Sequence, residues 1–121
     1  MRVLVIDDEI EICRLINRML SDEGYDVIDA ANGKEGMSLF YKHPFNLVIT
    51  DIIMPEKEGI ETILELKKNF PETKILAISG GGRIHSKDYL QMAKMTGADL
   101  TLKKPFIKSE LMKCVNELMS A

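Results

Sequence analysis

The sequence predicts an α/β domain: a five-stranded parallel sheet with five helices packed on both of its faces. Three observations predict it. Short apolar runs alternate five times with longer amphipathic segments, the pattern of parallel strands joined by right-handed helical crossovers. The candidate strands carry no polar face, so each needs cover on both sides. The length, 121 residues, suits one domain with a single substantial core.

Each element has its own signal. Val3, Leu4, Val5 and Ile6 form an unbroken aliphatic run, so a buried strand is expected over Arg2–Asp7. Glu9–Ser21 follows as a helix with Ile12, Leu15, Ile16, Met19 and Leu20 on one face, and Gly24 stops it. Tyr25–Asp29 is the second strand. Gly33–Lys42 is the second helix and presents Met37, Phe40 and Tyr41. Asn46–Thr50 and Gly59–Asn69 form the third pair, the helix lined by Ile60, Ile63, Leu64 and Leu66 and ending before Pro71. Lys74–Ser79 leads to a helix over Ser86–Thr96 that starts on a serine cap and buries Leu90, Ala93 and Met95. Asp99–Lys103 and Lys108–Met119 complete the set, with Ser109 as an early cap and Leu111, Val115, Leu118 and Met119 turned inward. No linker, repeat or low-complexity tract interrupts the alternation, so residues 1–121 read as one complete domain.

Composition narrows the class of function. The net charge of −3 leaves no electrostatic footprint for nucleic acid or an acidic membrane surface. No apolar run approaches a membrane span and no signal segment leads the chain, which points to the cytoplasm. Cys13 and Cys114 lack metal-ligand spacing and are expected to pack as small apolar residues rather than form a disulfide. His43 and His85 stand alone in loop-like sequence and read as surface residues.

The first strand ends in Asp7, Asp8 and Glu9. Like charges ~5 Å apart repel by roughly 3 kcal/mol at an effective dielectric near 20. Alone, the triplet would read as an exposed turn screened by water. The other strand ends change that reading, because ligands of an open parallel sheet bind outside the carboxyl ends of its strands. The third strand runs into Asp51, the fourth into Ser79 and three glycines, and the fifth into Lys104 and Pro105. Three aspartates, one hydroxyl and one ammonium thus gather on a single edge. The hard oxygens of Asp7, Asp8 and Asp51 suit Mg²⁺, which favours one or two carboxylates, retained water and a phosphate oxygen. Asp51 could then act as nucleophile toward phosphorus, forming an acyl phosphate, with Lys104 and Ser79 meeting charge on the transferred group. Lys103 competes with Lys104 for that role, since successive strand side chains point opposite ways and only one can face the site.

The segments "VLVIDDE", "VITDIIMPEKEG", "ILAISG" and "LKKPF", in this order and spacing, resemble the receiver domain of two-component response regulators. The likeness covers essentially the whole chain. It implies a flavodoxin-like, doubly wound sheet of strand order 2-1-3-4-5, and a phosphoryl group received from a phosphohistidine on a sensor histidine kinase or a phosphotransfer protein. By position, Asp51 matches the phosphoacceptor, Ser79 the switch hydroxyl and Lys104 the phosphate-contacting lysine. Asp8 matches a direct Mg²⁺ ligand, Asp7 one acting mainly through water, and the remaining protein ligands would be Asp51 and the backbone carbonyl of Ile53. The resemblance further implies a cis Lys104–Pro105 bond, a downstream protein target, and a signalling rather than enzymatic role.

This chain departs from the family pattern in two places. Thr101 stands where the family usually has an aromatic that moves with the switch hydroxyl, so the deformable loop "SGGGRIHSKD" is expected to report phosphorylation instead. Ile53 and Gly81 occupy the positions that tune dephosphorylation, and neither side chain can hydrogen-bond an attacking water, so hydrolysis should not be unusually fast. Three rival readings fit less well. A Mg²⁺-dependent phosphohydrolase typically wants an acid where Ile53 stands, and a flavodoxin-like cofactor binder needs a phosphate-friendly loop where the three acids stand. A pseudo-receiver that only binds partners would be expected to lack pocket residues that are all present here.

Overall fold

The computed structural model describes residues 1–52, 58–79, 91, 94 and 97–120. In chain order the elements are β1 (Arg2–Ile6), α1 (Ile10–Ser21), β2 (Asp26–Ala30), α2 (Gly33–Lys42), β3 (Leu47–Asp51), α3 (Glu58–Asn69), β4 (Lys74–Ser79), β5 (Leu100–Lys103) and α4 (Lys108–Met119). The five strands form one sheet in the order β2-β1-β3-β4-β5, and every pairing is parallel. This is the doubly wound arrangement expected. The helix expected over Ser86–Thr96 lies almost wholly outside the described residues; Gln91 and Lys94, which are described, are both helical.

Alternation along the strands divides the core between the two faces. Leu4, Ile6, Val48, Ile75 and Ala77 point to one side and pack with Met37 and Phe40 of α2 and Ile63 and Leu66 of α3. Val3, Val5, Leu47, Ile49, Leu76 and Ile78 point to the other, against Cys13, Ile16 and Leu20 of α1 and Leu111, Val115 and Leu118 of α4. Burying a side chain such as Leu or Ile contributes about 1.5–3 kcal/mol, so a one-residue slip in any inner strand would expose a whole row. The two edge strands carry the weaker pattern: in β2 only Ala30 is fully buried, and in β5 no residue is.

Several local expectations need correction. Leu15, Tyr41 and Leu64 were expected on the inward faces of their helices, yet all three are exposed. Each lies at the flank of an apolar stripe, where the sheet no longer covers it. Ser109 does not cap α4. It sits inside the helix, and the cap position is Ile107, whose amide donates to Glu110 Oε1 at 3.0 Å. Conversely, α2 is capped by Asn32, whose Oδ1 accepts from the Glu35 amide at 2.8 Å. Gly24 closes α1 as expected, with φ +91°. Both cysteines are free thiols, Cys13 buried and Cys114 half-buried. His43 is exposed, and His85 lies outside the described residues.

Candidate functional site

The carboxyl ends of β1, β3, β4 and β5 meet at one edge because the ladder holds them in step. Ile6 is level with Thr50, Asp51 with Ile78, and Ser79 with Lys103. Beyond the ladder, the Lys104 amide donates to the Ser79 carbonyl at 2.7 Å and the Ile52 amide to the Ile78 carbonyl at 3.0 Å. These two bonds carry the chain past the strand ends while keeping it in the sheet plane. Gly59, in the first turn of α3, lies against the Asp51 carbonyl and Ile52 Cα so closely that a Cβ there would overlap both. The helix therefore comes down directly on the backbone that carries Asp51.

Lys104 stands at the centre. Its Nζ donates to Asp7 Oδ2 at 2.8 Å and to Asp51 Oδ2 at 3.0 Å, and all three residues are buried. Burial alone would push the ammonium toward neutrality, but hydrogen bonds to Asp7 and Asp51 and their charges outweigh it and hold its pKa above the ordinary lysine value. Lys103 is exposed, which decides between the two neighbouring lysines. The other oxygen of Asp7, Oδ1, accepts from the Glu9 amide at 2.9 Å, and the thiol of Cys13 donates to the Asp7 carbonyl at 3.3 Å. Asp7 is thus fixed at both its carboxylate and its backbone.

Asp8 turns outward and is exposed. Partial desolvation, and then repulsion from Asp7, raise its carboxyl above the usual aspartate range. Ser79 is wholly buried, and its Oγ has no hydrogen-bond partner among the described residues. Leaving a buried hydroxyl unmatched costs about 1–3 kcal/mol, a cost that a ligand oxygen would relieve. Ile53 and Gly81 lie outside the described residues, as does the loop after β4. The peptide between Lys104 and Pro105 is cis, as expected. Thr101 is half-buried and level with Ala77.

The acids fit a divalent cation. One oxygen from each of Asp7, Asp8, Glu9 and Asp51 can be chosen so that all four lie within 4.8 Å of one another. That spread matches the shell of a small cation bound at about 2.1 Å, and the donors are all hard oxygens. Glu9 belongs to this cluster although the sequence placed it only at the start of the first helix and outside the set of metal ligands. Its Oε1 lies 3.6 Å from Lys104 Nζ. The signal that could have found it is its place two residues beyond Asp7, on the turn leading into α1.

The parallel sheet thus brings a lysine and two buried aspartates together at the carboxyl ends of its strands. Residues 3–116 match the family model described as the response regulator receiver domain, and the chain belongs to that family. It is 39% identical over 113 residues to the "Probable transcriptional regulator ycf27" of Porphyridium aerugineum, covering 91% of this chain and 44% of that protein. The chain spans about half the length of the curated relatives it matches. The crystal structure of the receiver domain of NtrX from Brucella abortus superposes with a TM-score of 0.91 at 28% identity, covering 98% of each chain. The chemotaxis protein CheY4 of Vibrio cholerae does so at 0.85 and 31%, covering 97% of each. Among the described residues no helix is long and apolar enough to cross a membrane.

Proposed function

We infer that this receiver accepts a phosphoryl group on Asp51 in a phosphorelay and passes the signal to a protein target through a change of surface. The observation that carries the reading is the Lys104 ammonium held between the buried carboxylates of Asp7 and Asp51. It places a positive charge beside the oxygen that would attack. A carboxylate oxygen of Asp51 forms a bond to the phosphorus of a donor phosphohistidine, the N–P bond breaks, and the imidazole leaves with the electron pair and takes a proton. Lys104 follows the charge from the carboxylate to the equatorial phosphoryl oxygens. The Ser79 hydroxyl, without a protein partner among the described residues, donates to one of those oxygens and so reads the occupied state.

Asp7, Asp8, Asp51 and the Ile53 carbonyl would hold Mg²⁺, which when bound supplies charge neutralisation that lets a phosphate dianion approach the acids. The donors are a sensor histidine kinase or a phosphotransfer protein, in the cytoplasm, and the chain itself makes no direct contact with nucleic acid. Incubation with acetyl phosphate and Mg²⁺ tests the reading by intact-protein mass spectrometry. One phosphoryl group should add to the native protein and none to Asp51→Asn. An adduct that survives Asp51→Asn, or none on the native protein, would overturn it.

A further inference from the structure

We propose that Glu9 is a positioning residue acting through Lys104: it receives the lysine ammonium at the pocket rim and so governs how readily a divalent cation displaces it from Asp7 and Asp51. The inference rests on the reading of the site as a cation-dependent phosphoacceptor.

Glu9 stands at the cap position of α1, yet its side chain makes no capping hydrogen bond. Its backbone is fully committed instead. The amide donates to Asp7 Oδ1 at 2.9 Å, and the carbonyl accepts from the Ile12 and Cys13 amides at 3.0 and 3.2 Å. Fixed at both ends, the residue delivers a side chain that is 62% exposed to within 3.6 Å of Lys104 Nζ. Asp7 and Asp51, the nearer partners at 2.8 and 3.0 Å, are buried. Among the described residues, these three carboxylates are the ones within 4 Å of that ammonium.

Lys104 occupies the oxygens that a divalent cation would take. A divalent cation bound at Asp7 and Asp51 repels an ammonium hydrogen-bonded to the same carboxylates, so cation entry favours a shift of Lys104. Its four-carbon stem permits a swing, and Glu9 is the one of its three partners on the solvent side. A carboxylate there stabilises the displaced ammonium. Without it, Lys104 falls back onto Asp7 and Asp51 and competes with the incoming ion. The helix start thus sets the exchange between an internal and an external cation.

Mn²⁺ serves as the probe, followed by loss of the free-ion paramagnetic resonance signal on titration of the metal-free protein. Glu9→Gln should weaken Mn²⁺ binding by about three- to fivefold, the scale of a partly exposed ion pair. Glu9→Asp keeps the charge but withdraws it from Lys104 by one methylene, and should weaken binding to a similar degree. In a Lys104→Met background, Glu9→Gln should change the affinity by less than about twofold, since coupled residues lose their effect together. Should Lys104→Met not fold, the comparison of Glu9→Asp with Glu9→Gln decides alone. Wild-type affinity in Glu9→Asp, or a Glu9→Gln effect that persists in Lys104→Met, means that charge acts directly on the ion and overturns the proposal. Unchanged binding in both Glu9 variants overturns it too. A native protein that binds no Mn²⁺ overturns the reading of the site itself, an outcome separable from the others.

Discussion

Each carboxylate at the strand ends sits in a different environment, and their behaviour should differ accordingly. Asp8 carries the repulsion: its raised pKa means the native state resists its ionised form, so the penalty is present above that pKa and vanishes as pH falls through it. Asp8→Asn should therefore raise the melting temperature of the metal-free protein at pH 7 by a few degrees and abolish any upshift caused by Mg²⁺, as read by paired thermal melts. Cys13 is the opposite case of a group held inert. Burial, and then the charges of Asp29 and Asp7, push its thiol up to about 12, so at pH 8 it is fully protonated. In the folded protein Cys13 should not react with a thiol reagent at pH 8, whereas both cysteines should react in denaturant; mass spectrometry of the labelled protein checks this. The gathering of Asp7, Asp51, Ser79 and Lys104 at one sheet edge was legible in the sequence, because each stands at or just beyond the carboxyl end of a strand-like run. Strand alternation alone left Lys103 and Lys104 in competition; the resemblance, through the neighbouring Pro105, pointed to Lys104, and the exposure of Lys103 agrees with it. Glu9 was missed because its helix-start position offered a sufficient local explanation, and its contact with Lys104 spans the length of the fold.

At the scale of elements, helix α3 depends on glycine at a point that bears on Asp51. Gly59→Ala places a methyl group against the Asp51 carbonyl and Ile52 Cα, which are backbone and cannot step aside like a side chain. Gly97→Ala is the matched control. At φ +129° and against the Lys67 side chain it should also destabilise, by about 1 kcal/mol or more, but it sits at the opposite end of the sheet. Gly59→Ala should slow labelling by acetyl phosphate several-fold in protein that remains folded, whereas Gly97→Ala should lower the melting temperature without slowing labelling. Equal labelling rates would remove the positional role assigned to Gly59. The strands were readable to within one residue at every end, since an apolar run against an amphipathic one is a clear contrast. The failures have a common cause. Leu15, Tyr41 and Leu64 follow helical spacing, but spacing alone does not say how wide a stripe the sheet covers, and the cap of α4 depends on side-chain reach rather than periodicity.

For the molecule as a whole, the two cores and the site are parts of one ladder. The Lys67 ammonium bonds Asp99 Oδ2 at 3.0 Å, and the same oxygen accepts from the Ile75 amide at 2.8 Å. This ties α3, β4 and the start of β5 together at the far end, while Lys104 ties β1, β3 and β5 at the near end. Because the acids are presented by the folded sheet and scattered in the unfolded chain, a bound cation stabilises the entire domain. At a Mg²⁺ concentration tenfold above its dissociation constant the gain should be about 1.4 kcal/mol. A calorimetric melt that does not move with Mg²⁺ would contradict the metal assignment without touching the fold.

The bond between Lys104 and Asp7 joins residues 97 positions apart in sequence. During synthesis the ribosome releases all three aspartates long before it releases the lysine that tempers them. A growing or prematurely ended chain therefore displays an acidic rim and no counter-charge, and it lacks the strand that would deliver one. On the proposed reading, competence to receive a phosphoryl group arrives only with β5, so an unfinished copy would not pass for a working one.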